Sequence, residues 1–82
     1  MRIPRDLDGR ELIAALGKLG YEVTRQSGSH IRLTTSRNGV HHITIPEHRP
    51  LKVGTLSAIL RDVAVHHSLS RDALMASLFS KT

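Results

Sequence analysis

The polar segment RQSGSH, which ends at His30, contains the residues of this chain best suited to chemistry on a phosphodiester. Gly28 lets the backbone turn tightly and approach a bulky partner, while Ser27 and Ser29 add small hydrogen-bonding groups. The guanidinium of Arg25 can place two parallel donors on a phosphate. The imidazole of His30 titrates near neutral pH, so it is suited to carry a proton.

Cleavage of RNA without a metal needs a base, charge stabilisation and an acid, and the sequence offers candidates for all three. His30 is the predicted base for the 2′-hydroxyl proton, and Arg25 and Arg32 are predicted to stabilise the phosphate. His48 is the candidate acid for the departing 5′-oxygen, with His42 as an alternative. The expected products are a 2′,3′-cyclic phosphate and a 5′-hydroxyl end, with no cofactor and no metal site.

A second phosphate contact is predicted where Lys52 precedes a helix. The free amides of Gly54 and Thr55 at that helix N-terminus, together with the lysine, are suited to hold an anion. The residues predicted to bind RNA are therefore Arg25, Ser27, Gly28, Ser29, Arg32, Lys52, Gly54 and Thr55.

Simpler interpretations of these residues stay open. His30 would then be a surface histidine that completes a turn, the arginines solvated strand residues, and Lys52 a loop charge. Serine hydrolysis fits less well, because the turn lacks a Gly-x-Ser-x-Gly elbow and no acidic residue is clearly placed to orient the histidine.

Six histidines also raise the possibility of a zinc site. His41 and His42 are adjacent on a predicted strand, so His41 is expected to face the core and His42 the opposite side. The sequence has no cysteine and no His-x-x-x-His helix pair to complete four ligands. His66 and His67 are instead expected to offset the negative end of the second helix.

The net charge of +5 is concentrated in the middle of the chain. Residues 1–24 and 62–82 each contain equal numbers of basic and acidic residues, whereas 25–61 contain six basic residues and one acidic residue. This block suggests a polyanionic partner, most simply nucleic acid. With one tyrosine and one phenylalanine, binding of single strands by stacked bases is disfavoured.

Length and composition indicate one domain over residues 1–82, because this length supports one modest core but not two. The lack of cysteine excludes a disulfide framework. No apolar run approaches the roughly 20 residues that span a bilayer, and the sequence MRIPRD lacks an apolar signal core. A cytoplasmic protein with no membrane partner is expected.

Capping residues and apolar periodicity predict the helices. Asp8 and Glu11 have the spacing of a capping box, Gly20 is placed to end the first helix, and Ser70 is placed to cap the last one. The apolar stripe of the last helix is expected to complete the core. The first predicted helix covers about 8–19. The second begins at about Gly54 or Thr55, and the third covers about 70–80.

Residues that alternate between apolar and polar predict three strands between the first two helices. They cover about 21–26, 30–34 and 40–45, joined by the Ser-Gly-Ser turn and by an Asn-Gly hairpin turn. The apolar residues of the second strand are expected to face the core, so His30 and Arg32 share the opposite, open face.

Taken together, this pattern resembles the HicA family of toxins from bacterial and archaeal toxin–antitoxin pairs. The match covers residues 8 to about 64. It is carried by Glu11-Leu12-Ile13, Gly20-Tyr21, the RQSGSH segment, Pro46 with His48, the LKVGTL sequence of residues 51–56, and Ile59-Leu60.

The resemblance implies an α+β fold like that of double-stranded-RNA-binding domains. Its order is α-β-β-β-α, with a three-stranded antiparallel sheet, helices on one face and, here, an extra C-terminal helix. It also implies a type II toxin endoribonuclease, an mRNA interferase, whose functional histidine is His30 and whose partners are mRNA and a HicB-like antitoxin. A monomer or weak homodimer is expected. Ile31 stands where many members have a second histidine, and residues 69–82 lie outside the match.

Two interpretations without catalysis remain. One is an RNA-binding module that uses the same fold and basic face, and the other is a protein-interaction domain that docks an acidic partner. RNA binding that vanishes at moderate salt, without cleavage, would favour the first, and no RNA affinity at low salt would favour the second.

Overall fold

The predicted helices and strands follow one another in the expected order in the computed structural model, which describes residues 6–79. The elements are α1 (Gly9–Leu16), β1 (Glu22–Ser27), β2 (His30–Thr35), β3 (His41–Pro46), α2 (Val53–His66) and α3 (Arg71–Phe79). The three strands form one antiparallel sheet in the order β1-β2-β3. The α-β-β-β-α layout with an added C-terminal helix is therefore confirmed.

Helix α1 begins with the predicted capping box. The Asp8 carboxylate accepts a bond from the Glu11 amide at 2.8 Å, and the Glu11 carboxylate accepts one from the Asp8 amide at 3.1 Å. The α-helix is shorter than predicted, because its last turn tightens into a 3₁₀ turn over Gly17–Leu19. Gly20 then ends it in the left-handed conformation, with φ of 84°.

The sheet has one buried and one open face. Strand β2 alternates strictly, with Ile31, Leu33 and Thr35 buried. In β3, Ile43 and Ile45 are buried while His42 and Thr44 are exposed, as the alternation predicts. The helices cover the buried face. We call the other side, which carries His30, Arg32 and His42, the open face.

The core is built mainly from aliphatic side chains of the sheet and all three helices. Helix α2 begins at Val53, slightly earlier than predicted, because the Leu56 amide already bonds the Lys52 carbonyl at 2.9 Å. Ser70 caps α3 by accepting a bond from the Ala73 amide at 3.1 Å. The buried side chains of α3 are Leu74, Met75 and Leu78, so this helix contributes to the core as expected. Within residues 6–79, no helix is long and apolar enough to cross a membrane.

Candidate functional site

Strand β1 contains a bulge that changes which side chains reach the open face. Val23 pairs with Leu33, but the next pair is Arg25 with Arg32, so Thr24 is an extra residue on β1. In an unbroken strand, Arg25 would point to the same side as Val23. The extra residue moves Arg25 to the open face instead, directly opposite Arg32.

The two arginines form a like-charge pair. Side chains directly opposite each other on antiparallel strands have Cβ atoms roughly 5 Å apart, and like charges there are destabilising. Neither Arg25 nor Arg32 forms an ion pair or side-chain hydrogen bond with another residue in 6–79. Arg25 is exposed and Arg32 is half-buried. An anion placed between the guanidinium groups would remove their repulsion and satisfy their donors.

His30 lies beside this pair, at the start of β2. It pairs with Ser27 on one side and with Pro46 on the other, and its side chain is exposed. Because a strand rises about 3.3 Å per residue, Arg32 is about 7 Å farther along the same face. The imidazole makes no hydrogen bond with a described residue.

The turn before His30 is shorter than the predicted Ser-Gly-Ser loop. Ser27 belongs to β1, and the loop is reduced to Gly28 and Ser29. Gly28 has φ of 59°, the positive value that the first position of a type II′ hairpin turn requires. The short turn fixes the position of His30 relative to the end of β1.

His48 lies at the same end of the sheet as His30. The Glu47 amide bonds the Ser29 carbonyl at 2.6 Å, which extends the ladder past Pro46. The chain then turns, since the His48 amide bonds the Pro46 carbonyl at 3.0 Å. No hydrogen bond joins the His30 and His48 side chains, so the structure places the two candidate proton carriers near one strand end without linking them.

The loop that carries His48 is held against the start of α1. The Gly9 amide donates to the His48 carbonyl at 3.1 Å, and Arg10 forms an ion pair with Glu47 at 2.8 Å. A pocket of about 260 Å³ lies here, lined by Asp8, Gly9, Arg10, Glu47, His48 and Arg49. The backbone around His48 is therefore fixed by contacts that are distant in sequence.

The position of His42, far along the sheet from His30, argues against it as the acid. It pairs with Thr34, four residues along β2 from His30, which is a distance of about 13 Å. Its Nδ1 lies 2.8 Å from the Thr34 hydroxyl, which in turn lies 2.9 Å from the Thr24 hydroxyl. These contacts hold His42 in place at the far end of the open face.

A groove of about 510 Å³ lies along β3, the edge strand next to α2, and is lined from the sheet and from that helix. Arg32, His42, Ile43 and Thr44 line it from the sheet, and Ala58, Ile59 and Asp62 line it from the helix. The sequence did not predict Asp62 as a residue of this site. The periodicity of α2 shows which residues share a helical face but not how that face is turned relative to β3.

The predicted phosphate contact lies at the start of α2. Lys52 precedes the first turn and provides no side-chain cap, so the amides of the first turn have no side-chain acceptor there. No hydrogen bond or ion pair among the described residues links Lys52, Gly54 or Thr55 to His30 or to the arginine pair. The strand pairing groups Arg25, Ser27, His30 and Arg32 at one end of the sheet.

The remaining histidines form a network around Tyr21, in which Tyr21 and His67 are buried. The Tyr21 hydroxyl lies 2.7 Å from His41 Nδ1 and 3.1 Å from His67 Nε2, and His41 Nε2 lies 3.2 Å from an Asp62 oxygen. A carboxylate only accepts, so His41 donates to Asp62. When His41 is neutral, its Nδ1 accepts from the Tyr21 hydroxyl, whose oxygen accepts from His67 Nε2; when His41 is protonated, both of these bonds reverse. Within residues 6–79, no group of His, Cys, Asp or Glu side chains is arranged to hold a metal ion.

The expectation that both histidines offset the end of α2 is corrected for His67 only, since His66 lies in the last turn of α2 as predicted. Burial raises the pKa of Tyr21 to about 12, with the Asp62 charge adding to it. Burial also lowers the pKa of His67, reinforced by His66, His41 and Arg37. A neutral His67 does not offset a helix dipole. His66 Nε2 lies 2.8 Å and 3.0 Å from the carbonyl oxygens of Arg37 and Gly39, so it donates to both and braces the turn before β3.

Comparison with known families gives one result. A family model described as HicA toxin of bacterial toxin-antitoxin matches residues 9–65, which is more than half of the chain. The matched region includes the arginine pair, His30 and the groove, and it stops before α3. No curated protein and no solved structure gives a significant match.

Proposed function

The chain belongs to the HicA family of toxins from bacterial toxin–antitoxin systems, and we propose that it acts as an endoribonuclease that cuts mRNA. In this proposal it is the mRNA interferase of a type II pair and needs no metal ion. His30 supplies the acid–base chemistry, and the open face binds the RNA.

The observation that carries the proposal is the position of the Arg25–Arg32 pair beside His30. Two guanidinium groups without a partner among the described residues favour a bound anion. A phosphate held there lies within one or two residue steps of the imidazole along β2. The arrangement suits a phosphodiester and gives the like-charge pair a role in binding it.

The reaction begins with proton removal. His30 takes the proton of the 2′-hydroxyl, whose oxygen attacks the adjacent phosphorus. Negative charge then builds on the non-bridging phosphate oxygens, where Arg25 and Arg32 stabilise it. The exposed position of His30 leaves its imidazole open to the ribose.

The second half of the reaction needs an acid. The bond from phosphorus to the 5′-oxygen breaks, and a proton donated by His48 completes the departing 5′-hydroxyl. The other product ends in a 2′,3′-cyclic phosphate. We assign this step to His48 rather than His42, because His48 lies at the strand end that carries His30.

The remaining RNA contacts follow the direction of the strand. Ser27, Gly28 and Ser29 lie on the His30 side of the arginine pair and are suited to contact the backbone of the RNA. Lys52 with the amides of Gly54 and Thr55 forms a further anion contact for the RNA backbone.

The family implies an antitoxin partner, and we propose a HicB-like protein that covers the open face. An acidic surface on that partner would satisfy the arginines in the way an RNA phosphate does. Antitoxin binding and RNA binding would then exclude each other.

Purified protein, RNA and EDTA are sufficient to test the proposal. Cleavage should persist in EDTA and give 5′-hydroxyl and 2′,3′-cyclic phosphate ends, identified by whether a kinase labels the 5′ end directly. Loss of cleavage on chelation, or products with 5′-phosphate ends, would contradict the mechanism.

A non-catalytic RNA-binding module of the same fold is the second candidate. It is favoured by one observation, the lack of a described hydrogen-bond partner that orients the His30 imidazole. This candidate predicts salt-sensitive RNA binding with no cleavage at any pH between 5 and 9.

A further inference from the structure

The groove between β3 and α2 contains a pair of opposite charges that do not meet. Arg32 lines it from the sheet and Asp62 from the helix, yet no ion pair joins them. Asp62 is 59% exposed, and one of its oxygens accepts from His41 at 3.2 Å. A carboxylate has about four acceptor sites, so Asp62 keeps free acceptor capacity toward the groove.

The rest of the groove suits a flat, partly polar ligand. Ile43, Ala58 and Ile59 give it an apolar surface, while Thr44 and His42 add polar groups. Thr34 holds His42 through Nδ1, which leaves Nε2 available. At about 510 Å³, the groove has room for a nucleobase with its ribose.

The groove is continuous with the proposed cleavage site. Arg32 belongs to both, since it pairs with Arg25 on the open face and also lines the groove. Arg32 is about 7 Å from His30 along β2, roughly one nucleotide of an extended strand. An RNA strand whose phosphate lies between the arginines therefore has a neighbouring base within reach of Asp62.

We propose that this groove is a nucleobase subsite of the RNA substrate and that Asp62 makes it selective for guanine. The Watson–Crick edge of guanine presents two adjacent N–H donors, at N1 and at the 2-amino group, which a carboxylate accepts together. Adenine and cytosine present a single amino group beside an acceptor, and uracil one N–H between two carbonyls. Each of these three bases would place a hydrogen-bond acceptor next to a carboxylate oxygen, and two acceptors repel each other.

This inference rests on the proposed function, in which RNA is the substrate. It adds to that proposal the identity of the base that the protein selects. The apolar walls contact the face of the base without hydrogen bonds, while Arg32 binds the phosphate. Asp62 then provides the selectivity for guanine. Arg32 contributes binding affinity that does not depend on which base is present.

The test compares Asp62→Asn with Glu22→Gln, each in a His30→Ala background so that RNA is not consumed. Both substitutions remove one negative charge. Glu22 is exposed on β1 and outside the groove lining, so it is the matched control. Asparagine can still accept the His41 bond, and thermal unfolding checks that both variants fold. Binding is measured by fluorescence anisotropy on short oligoribonucleotides with guanine or adenine at one varied position.

The His30→Ala protein should prefer guanine by roughly tenfold, the discrimination expected of a paired hydrogen bond to a base edge. Asp62→Asn should abolish this preference, while Glu22→Gln keeps it and binds both oligonucleotides somewhat more tightly. Binding with the same preference in Asp62→Asn, or with no preference in any variant, overturns the subsite and leaves the proposed cleavage intact. Absence of RNA binding at low salt overturns both.

Discussion

Arg25 lies directly opposite Arg32 across the β1–β2 ladder, although uninterrupted alternation through β1 would place Arg25 on the other face. The bulge at Thr24 produces this relationship. It brings two guanidinium groups together beside His30 and leaves them without a described partner. The positive charges of Arg25 and Arg32 therefore repel each other unless an anion lies between them.

Replacing Arg25 with glutamine should have opposite effects on stability and RNA affinity. Removing the like-charge repulsion should raise the free energy of unfolding by about 0.2–1 kcal/mol. RNA binding should weaken, and the slope of log affinity against log salt should fall by about one unit. Urea denaturation and salt titrations measure the two effects.

Arg61→Gln is the control for that experiment, because Arg61 is exposed on α2, outside the open face and the groove lining. It removes the same charge without relieving the pair. A similar gain in stability in both variants would contradict the account of the arginine pair.

Gly9→Ala should destabilise the fold, because a Cβ at this position would lie 2.5 Å from the Pro46 carbonyl oxygen. The clash is with backbone, so the loop after β3 would have to move, at about 1–3 kcal/mol. Gly17→Ala is the matched control, since it has open space and a helical φ of −56°. It should be neutral or stabilise by up to about 1 kcal/mol. Equal effects of the two substitutions in denaturant unfolding would refute this assignment.

Tyr21→Phe should lower stability by about 1–3 kcal/mol, because it leaves the nitrogens of two histidines without their shared partner. The hydroxyl links His41 to His67, and Tyr21 is only 4% exposed. Thermal unfolding measures the loss. A melting temperature equal to that of the parent would show that the network contributes nothing.

Stability should fall as the pH is lowered below about 6.5, the ordinary pKa of histidine. The pKa of His67 is lowered in the folded protein by burial and by the nearby His66, His41 and Arg37. In the window below 6.5 the unfolded chain therefore binds a proton that the folded chain resists, which favours unfolding.

The His67→Gln variant isolates this contribution from the other histidines. Its free energy of unfolding should decline less between pH 7.5 and pH 5 than that of the parent. Parallel declines in the two proteins would remove His67 as a source of the acid sensitivity.

Local chemistry was sufficient to predict part of this structure. The Asp8–Glu11 capping box, the left-handed Gly20 and the cap at Ser70 depend on residues close in sequence. The opposite orientations of His41 and His42 follow from the geometry of a single strand. These features require no knowledge of how the elements pack.

The features that define the site depend on pairing and packing. The bulge at Thr24 appears only when β1 is aligned with β2. The contact of Tyr21 with His67 joins residues 46 positions apart, and Asp62 reaches the groove only through the orientation of α2 beside β3. Residue type and turn chemistry were sufficient to predict His30 as a site residue. They did not predict that Arg25 lies opposite Arg32 beside it.

The cleavage rate of His30→Ala tests the central claim most directly. Because His30 is exposed and its side chain bonds no described residue, the variant should fold with the stability of the parent. With RNA and EDTA under single-turnover conditions, its rate should be lower than the parent's by about 10²–10⁴-fold. Cleavage at the parental rate by a folded His30→Ala protein would contradict the assignment of His30 as the base.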